Sequence, residues 1–355
     1  MSRTNNPAAR RAGAVAARAV LAVLLLAAAL PLSAAGSREA AENTLTLYSG
    51  RGESLVEPLV EQFREETGIT VNVRYGGTSE LAVLLAEEGS RTPADLFWAQ
   101  DAGALGALAQ EGRLAELPAR YHASALPIYR SSTGRWVAGS GRARVLAYSP
   151  DRLDESEYPD SVFDLTRERY RGRVSWAPTN GSFQAFVTAM RVAYGDEVTL
   201  QWLRDMAAND VQVYRNNTTQ VEAIAAGEVD AALVNNYYLL RFLAQDPDYP
   251  VAQRFFADGD IGNMVNIAGI GITARVDADS PRRRNAERFI DFLLSESAQQ
   301  YITDVIYEYP VTDGVERNPQ LESLERLLES APQVDLDSLS DLDGTLSLLR
   351  EAGVL

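Results

Sequence analysis

An α/β fold in two blocks is the class this sequence predicts. Strand-like alternation and helix-like spacing take turns from Thr44 onward, and the pattern occurs twice. No internal repeat or long low-complexity linker interrupts it. The 355 residues suffice for two domains of ordinary size, each with its own core.

The elements follow in order. Leu45-Thr46-Leu47-Tyr48 reads as a strand, and Leu55, Val56, Leu59, Val60 and Phe63 as one helical face that Gly68 stops. Ile69, Val71, Val73 and Tyr75 alternate as in a strand. Thr78 is placed to cap a helix carrying Leu81, Leu84 and Leu85. Ala94–Ala99 is an apolar strand, and Asp101 caps the next helix through Leu105 and Leu108, which Gly112 ends. The second block holds strands at Arg142–Tyr148, Arg173–Ala177, Val211–Tyr214, Ala231–Val234 and Met264–Thr273. Its helices carry Phe183, Phe186 and Met190, begin at Thr218, and begin again near Asn236. Pro281 opens a helix that buries Phe289, Ile290 and Leu293. The acidic stretch from Gln333 to Asp343 has no clear pattern.

The N-terminus reads as an export signal. Arg3, Arg10, Arg11 and Arg18 precede the uncharged run Ala19–Leu30, and Ser33-Ala34-Ala35-Gly36 supply small residues for cleavage. That predicts a signal peptide over residues 1–35 and a periplasmic destination. The apolar run is short for a spanning helix, which needs roughly 20 residues. With no cysteine, an exported chain has neither disulfides nor a lipid anchor at the cleavage site. Net charge is −16, and all basic residues are arginine. This excess of acid disfavours nucleic acid and anionic membranes as partners.

Enzyme constellations are scarce. His122 is the only histidine, so Cys/His zinc sites are excluded, and no G-x-S-x-G elbow or phosphate loop occurs. The informative segment is Val234-Asn235-Asn236-Tyr237-Tyr238, at the end of an apolar strand and the start of a helix. Ligands of open α/β sheets bind outside the carboxyl ends of strands. Adjacent tyrosines there are either packing aromatics or ligands. As phenolates they suit a hard, highly charged cation such as ferric ion, which drives off a proton whose free pKa is about 10. Thr179-Asn180-Gly181-Ser182, Asn216-Asn217-Thr218 and Asn235-Asn236 each sit at an expected helix start. Each alone is an ordinary cap, but helix N-termini also favour anions, and three of them following strands suit one shared anion.

Further motifs carry a resemblance. Leu47-Tyr48-Ser49-Gly50-Arg51, Pro93-Ala94-Asp95-Leu96-Phe97, Asp101-Ala102-Gly103-Ala104-Leu105, and Gly227-Glu228-Val229-Asp230 followed by Asn235-Asn236-Tyr237-Tyr238 resemble the ferric-iron-binding periplasmic proteins of ABC importers, from about Leu45 to Pro310. The resemblance implies the type II periplasmic-binding-protein fold: two α/β lobes joined by hinge strands, with a ligand cleft between them. The expected lobes are 44–141 with 268–310 and 142–267 with 311–355. It implies Fe3+ as transported ligand, carbonate or phosphate as synergistic anion, a permease partner, a monomer and no enzymatic activity. Tyr237 and Tyr238 match the paired iron tyrosines. Asn180, Gly181, Ser182, Asn217 and Asn235 match anion positions of one branch, and Arg51 matches an arginine near the anion in another.

Three departures from the pattern matter. Gly52 and Glu53 stand where relatives place a His or Tyr ligand, Gln100 where some place a glutamate, and Gly181 where a tyrosine-rich branch has a further tyrosine. Glu53 or Asp101 is then the carboxylate left for the first lobe, unless anion and water fill those positions. An oxyanion, a polyamine or a small organic molecule is the alternative ligand for the same fold, and an exported enzyme the alternative class.

Overall fold

Alternating burial along the first strands divides the protein into apolar layers. The computed structural model describes residues 43–124 and 127–355; the export segment 1–35 lies outside them, as does the side chain of His122. In β1 (Thr44–Ser49), Leu45 and Leu47 pack into one apolar cluster and Tyr48 into the other. Side chains of a strand point alternately to its two faces, and helices cover both.

The first block continues through α1 (Glu53–Thr67), β2 (Thr70–Tyr75), α2 (Thr78–Glu88), β3 (Leu96–Ala99), α3 (Ala102–Gln110) and α4 (Ala119–Ser124). Phe63 of α1 meets Phe289 edge-on, with ring centroids 5.0 Å apart. β4 (Val137–Tyr148) follows, then β5 (Val174–Trp176), α5 (Gly181–Tyr194), α6 (Asp196–Ala208), β6 (Gln212–Val213), α7 (Asn217–Ala226), β7 (Ala231–Asn235) and α8 (Asn236–Leu243). The remainder is β8 (Ala252–Arg254), β9 (Val265–Ile272), α9 (Pro281–Leu293), α10 (Glu296–Tyr301), α11 (Leu324–Ser330) and α12 (Leu342–Glu351).

Among the described residues the strands follow the order β2-β1-β3-β9-β4-β7-β5-β6, with β8 on β4. β1 and β3 are parallel, as are β5 with β6 and β7, whereas β9 and β4 run antiparallel to their neighbours. β4 changes partner along its length: Val137–Ala143 pair with β9, and Arg144–Tyr148 with β7. A third length of chain crosses there, because Gly141 and Tyr309 exchange backbone hydrogen bonds of 2.8 Å. Glycine is required at 141, since a Cβ would lie 2.4 Å from the Tyr129 ring.

Two expectations are corrected. Thr78 is the first residue of α2, and the cap is Gly77. The Thr78 hydroxyl is instead spent between loops, donating to the Gly50 carbonyl at 3.3 Å and accepting from the Gln100 N–H at 3.1 Å. The acidic C-terminal stretch is ordered by tertiary contacts. Its 3-10 turn Leu336–Ser340 lies on α3, and Asp341, which caps α12, pairs with Arg191 of α5 at 2.9 Å.

The close approach of that stretch to α3 needs Gly103, where a Cβ would come 2.6 Å from the Leu339 carbonyl oxygen. Gly103→Ala therefore forces backbone apart. The expected loss is about 1–2 kcal/mol after the helix propensity gained by alanine. Urea unfolding checks it, as a lower midpoint with an unchanged slope.

Candidate metal centre

The strand-to-helix junction after β7 presents the tyrosine pair. Asn235 occupies the N-cap in extended geometry, so Tyr237 and Tyr238 fall in the first turn of α8. The Asn236 side chain accepts the Ala143 N–H at 3.0 Å, which pins this turn to β4. The two rings stack with centroids 4.2 Å apart and planes at 29°. Both phenol oxygens meet one donor: Gln100 Nε2 reaches Tyr237 at 3.3 Å and Tyr238 at 3.2 Å. Gln100 comes from the β3–α3 loop, on the far side of the cleft. Tyr237 is fully buried and Tyr238 nearly so.

Burial pushes the Tyr237 phenol well above its ordinary value, and Tyr238 and Glu308 push it further; Arg51 and Arg142 oppose them. Arg51 donates from Nη2 to Glu308 Oε2 at 3.0 Å, with both side chains buried. The Ser140 hydroxyl donates to the same carboxylate oxygen. Arg142 is buried with no hydrogen-bond partner for any of its guanidinium nitrogens among the described residues, and burial lowers its pKa. Arg144 lies over the Phe186 ring at 4.9 Å, and burial lowers it to about 9. Unpaired buried donors are rare, because each forfeits its hydration without return. Here two of the arginines with unpaired nitrogens, Arg51 and Arg142, act electrostatically on Tyr237.

The expected anion residues come together. Asn180 caps α5, and its Oδ1 accepts from the Ser182 N–H at 3.1 Å and hydroxyl at 2.6 Å, and from Asn217 at 3.5 Å. Asn217 in turn accepts the Asn235 N–H at 2.9 Å, and Asn235 Nδ2 donates to Ser182 Oγ at 3.3 Å. The N-termini of α5, α7 and α8 therefore converge on one cluster beside the tyrosines. Gly181 abuts the opposite wall: a Cβ would lie 2.9 Å from both Asp101 Oδ2 and Thr78 Cβ. No larger residue fits there in this conformation.

The cleft has a volume of about 500 Å³. Residues 50–52, 54–55, the β2–α2 loop, Gln100, 179–181, 215–216, Thr218, Tyr238 and Arg241 contribute to its lining. The two carboxylates named from sequence lie apart from that lining. Asp101 caps α3, with Oδ1 accepting the Ala104 N–H at 2.9 Å, and burial raises its pKa to about 6. Glu53 is exposed on the first turn of α1. Sequence reasoning missed Arg142, Arg144, Ser140 and Glu308. Two arginines inside an apolar strand were a signal for the first two; nothing in the pattern linked Glu308 to Arg51, 257 residues away.

This arrangement is an α/β fold on an open mixed sheet, with a cleft beside the tyrosine pair. Residues 91–330 match the family of bacterial extracellular solute-binding proteins, and the chain belongs to it. It is 33% identical over 336 residues to the Fe(3+)-binding periplasmic protein of Serratia marcescens, covering 94% of this chain and 97% of that one. It is 32% identical to the major ferric iron-binding protein of a Neisseria meningitidis serogroup B strain, covering 87% and 93%. Iron-bound HitA from Pseudomonas aeruginosa superposes with a TM-score of 0.81 at 34% identity, covering 87% and 99%. The fold is thus the type II periplasmic-binding fold expected from the resemblance.

Asp101 supplies a pH test. Its folded pKa of about 6 lies above the ordinary 3.8, so the folded state holds the proton more tightly. The stability this group contributes is present below pH 4 and is lost as pH rises to 6, on the order of 3 kcal/mol in all. Asp101→Asn keeps a capping oxygen and removes that dependence. Denaturant unfolding at pH 4 and pH 7 should show the wild type losing more stability than the variant.

Proposed function

We propose that this protein is the periplasmic substrate-binding component of a ferric iron ABC importer, with Tyr237 and Tyr238 as the phenolate ligands of Fe3+. The observation that carries the reading is the meeting of both phenol oxygens at one amide nitrogen, as two ligands of one ion must meet. Ferric ion displaces both phenolic protons to solvent, because a bound cation of high charge favours the deprotonated ligand. Buried Arg51 and Arg142 favour the same phenolates. Two phenolates offset two of the three charges.

Carbonate or phosphate takes the remainder at the cluster of Asn180, Gly181, Ser182, Asn217 and Asn235, beside Arg51, whose Nε and Nη1 have no partner among the described residues. Asp101 stays a cap in this reading, and Glu53 a carboxylate near the cleft but not lining it. The lobes 44–141 with 268–310 and 142–267 with 311–355 close by bending where β4 exchanges partners, a population shift driven by contacts made only when shut. A signal peptide over 1–35 delivers a monomer to the periplasm, and a permease receives the iron. No bond of an organic substrate is made or broken, so the protein is not an enzyme. The relatives named above support this reading.

Titration of the iron-free protein with ferric citrate is expected to give a visible tyrosinate–iron charge-transfer band. Tyr238→Phe keeps the ring stack, weakens and shifts the band to that of the single remaining phenolate, Tyr237, and weakens iron about a hundredfold. A protein that stays colourless, yet is stabilised against heat by phosphate alone, overturns the assignment in favour of an oxyanion-binding protein.

A further inference from the structure

One contact across the cleft changes its chemistry when metal arrives. Near the cleft the Ser79 hydroxyl donates to the Gln184 amide oxygen, and Arg241 donates to the Ser54 hydroxyl at 3.4 Å, but none of these groups is a proposed iron ligand. Gln100 differs, because both of its partners are. Its Nε2 lies 3.3 Å from the Tyr237 oxygen and 3.2 Å from the Tyr238 oxygen. An amide nitrogen carries two hydrogens, one for each phenol.

The loop behind this amide is tied down. The Gln100 N–H donates to Thr78 Oγ1 at 3.1 Å, and that hydroxyl donates to the Gly50 carbonyl at 3.3 Å. Two residues on, the Ala102 N–H donates to Asn266 Oδ1 at 3.2 Å, which fixes the end of the loop to β9. Asp101 between them caps α3. Gln100 is 6% exposed, so little water competes for its hydrogens. The phenols are fixed as well, by their ring stack and by the bond from Ala143 to Asn236. A donor and two acceptors thus face each other from separately anchored elements.

We infer that Gln100 is a positioning residue that couples iron loading to closure of the cleft: its two amide hydrogens hold the phenols weakly while these are neutral, and strongly once iron has made them phenolates. This rests on the tyrosine–iron reading above. On loading, each phenol proton leaves to solvent, each oxygen bonds to iron, and the amide keeps both hydrogens. A phenolate oxygen has lone pairs for a metal bond and an accepted hydrogen bond together. Hydrogen bonds to an ionised acceptor are roughly twice as strong as those between neutral groups. One side chain makes this gain twice, and it ties the β3–α3 loop to α8 more tightly when the site is full. A ligand shifts a conformational equilibrium by the difference in contact energy between its two states, and this contact supplies such a difference. A carboxylate at position 100 would have no hydrogen to give.

Gln100→Met keeps the length and bulk of the side chain and removes both hydrogens. The variant and the native protein are loaded with ferric citrate, and iron is then drawn off by an excess of strong chelator while the visible band is followed. Release from the variant is expected to be about tenfold faster. Its band should also lie at longer wavelength, because phenolates relieved of hydrogen bonds give up electron density more readily. A purely structural effect would not move the band of iron that is still bound. An unchanged band position, or an unchanged release rate, overturns the role of Gln100 and leaves the tyrosine site standing; no band in the native protein removes both. A second measurement needs no functioning variant. In native protein loaded with Ga3+, a diamagnetic ion of the same charge, the Gln100 amide protons should move downfield in the NMR spectrum and exchange more slowly with water than in the metal-free protein. Protons that stay in place or exchange faster show an amide turned away from the phenolates, and overturn the proposal.

Discussion

The buried pair between Arg51 and Glu308 lies where three distant lengths of chain meet. Arg51 ends the first strand–loop unit and lies over the Trp98 ring at 5.7 Å; Ser140 of β4 donates to the same carboxylate; Glu308 arrives from beyond α10. The chain reaches Glu308 through a π-helical turn at Ile302–Ile306 and a left-handed Tyr307 at φ 65°, a conformation costly for a residue with a side chain. Two charges withdrawn from water demand each other, so removing either partner would leave an uncompensated buried charge at the crossing of β4 and the Tyr309 segment. Near that crossing lie the partner exchange of β4 at Ala143–Arg144, the pinning of α8 through Asn236, and the facing of Gln100 with the tyrosines.

The site is electrostatically expensive in the form described. Arg142 has no hydrogen-bond partner, Arg51 keeps two nitrogens unpaired, and Tyr237 is held neutral by burial. Hydrophobic replacements of similar shape would cost the fold less, because an unpaired buried cation forfeits hydration. Such groups gain when negative charge appears among them, as it does when phenols ionise.

Much of this was legible in the sequence, and particular residues show why. Period-two and helical patterns placed β2 and α1 closely, and short apolar runs placed β1 and β9, whose side chains are buried on both faces. Pro281 marked the start of α9 and Asp101 the cap of α3, both local effects that need no partner. Thr78 misled because a threonine before a helix resembles a cap, whereas here its hydroxyl answers to Gly50 and Gln100, 28 and 22 residues away. The C-terminal stretch was opaque because its order comes from α3 and α5. Its own residues are acidic and lack a long apolar period, and Gly103 on another element makes the room.

For the site, the chain alone determined the tyrosine pair and the three asparagine-bearing helix starts, since each follows from a strand end meeting a helix N-terminus. It left open whether these would share one place, and Asn180, Ser182, Asn217 and Asn235 form one connected cluster only after β5 and β7 pair side by side. The tertiary structure alone decided the role of Asp101, the burial of Arg142 and the pairing of Arg51 with Glu308. Those properties depend on solvent exposure and on partners distant in sequence, and no local pattern encodes either.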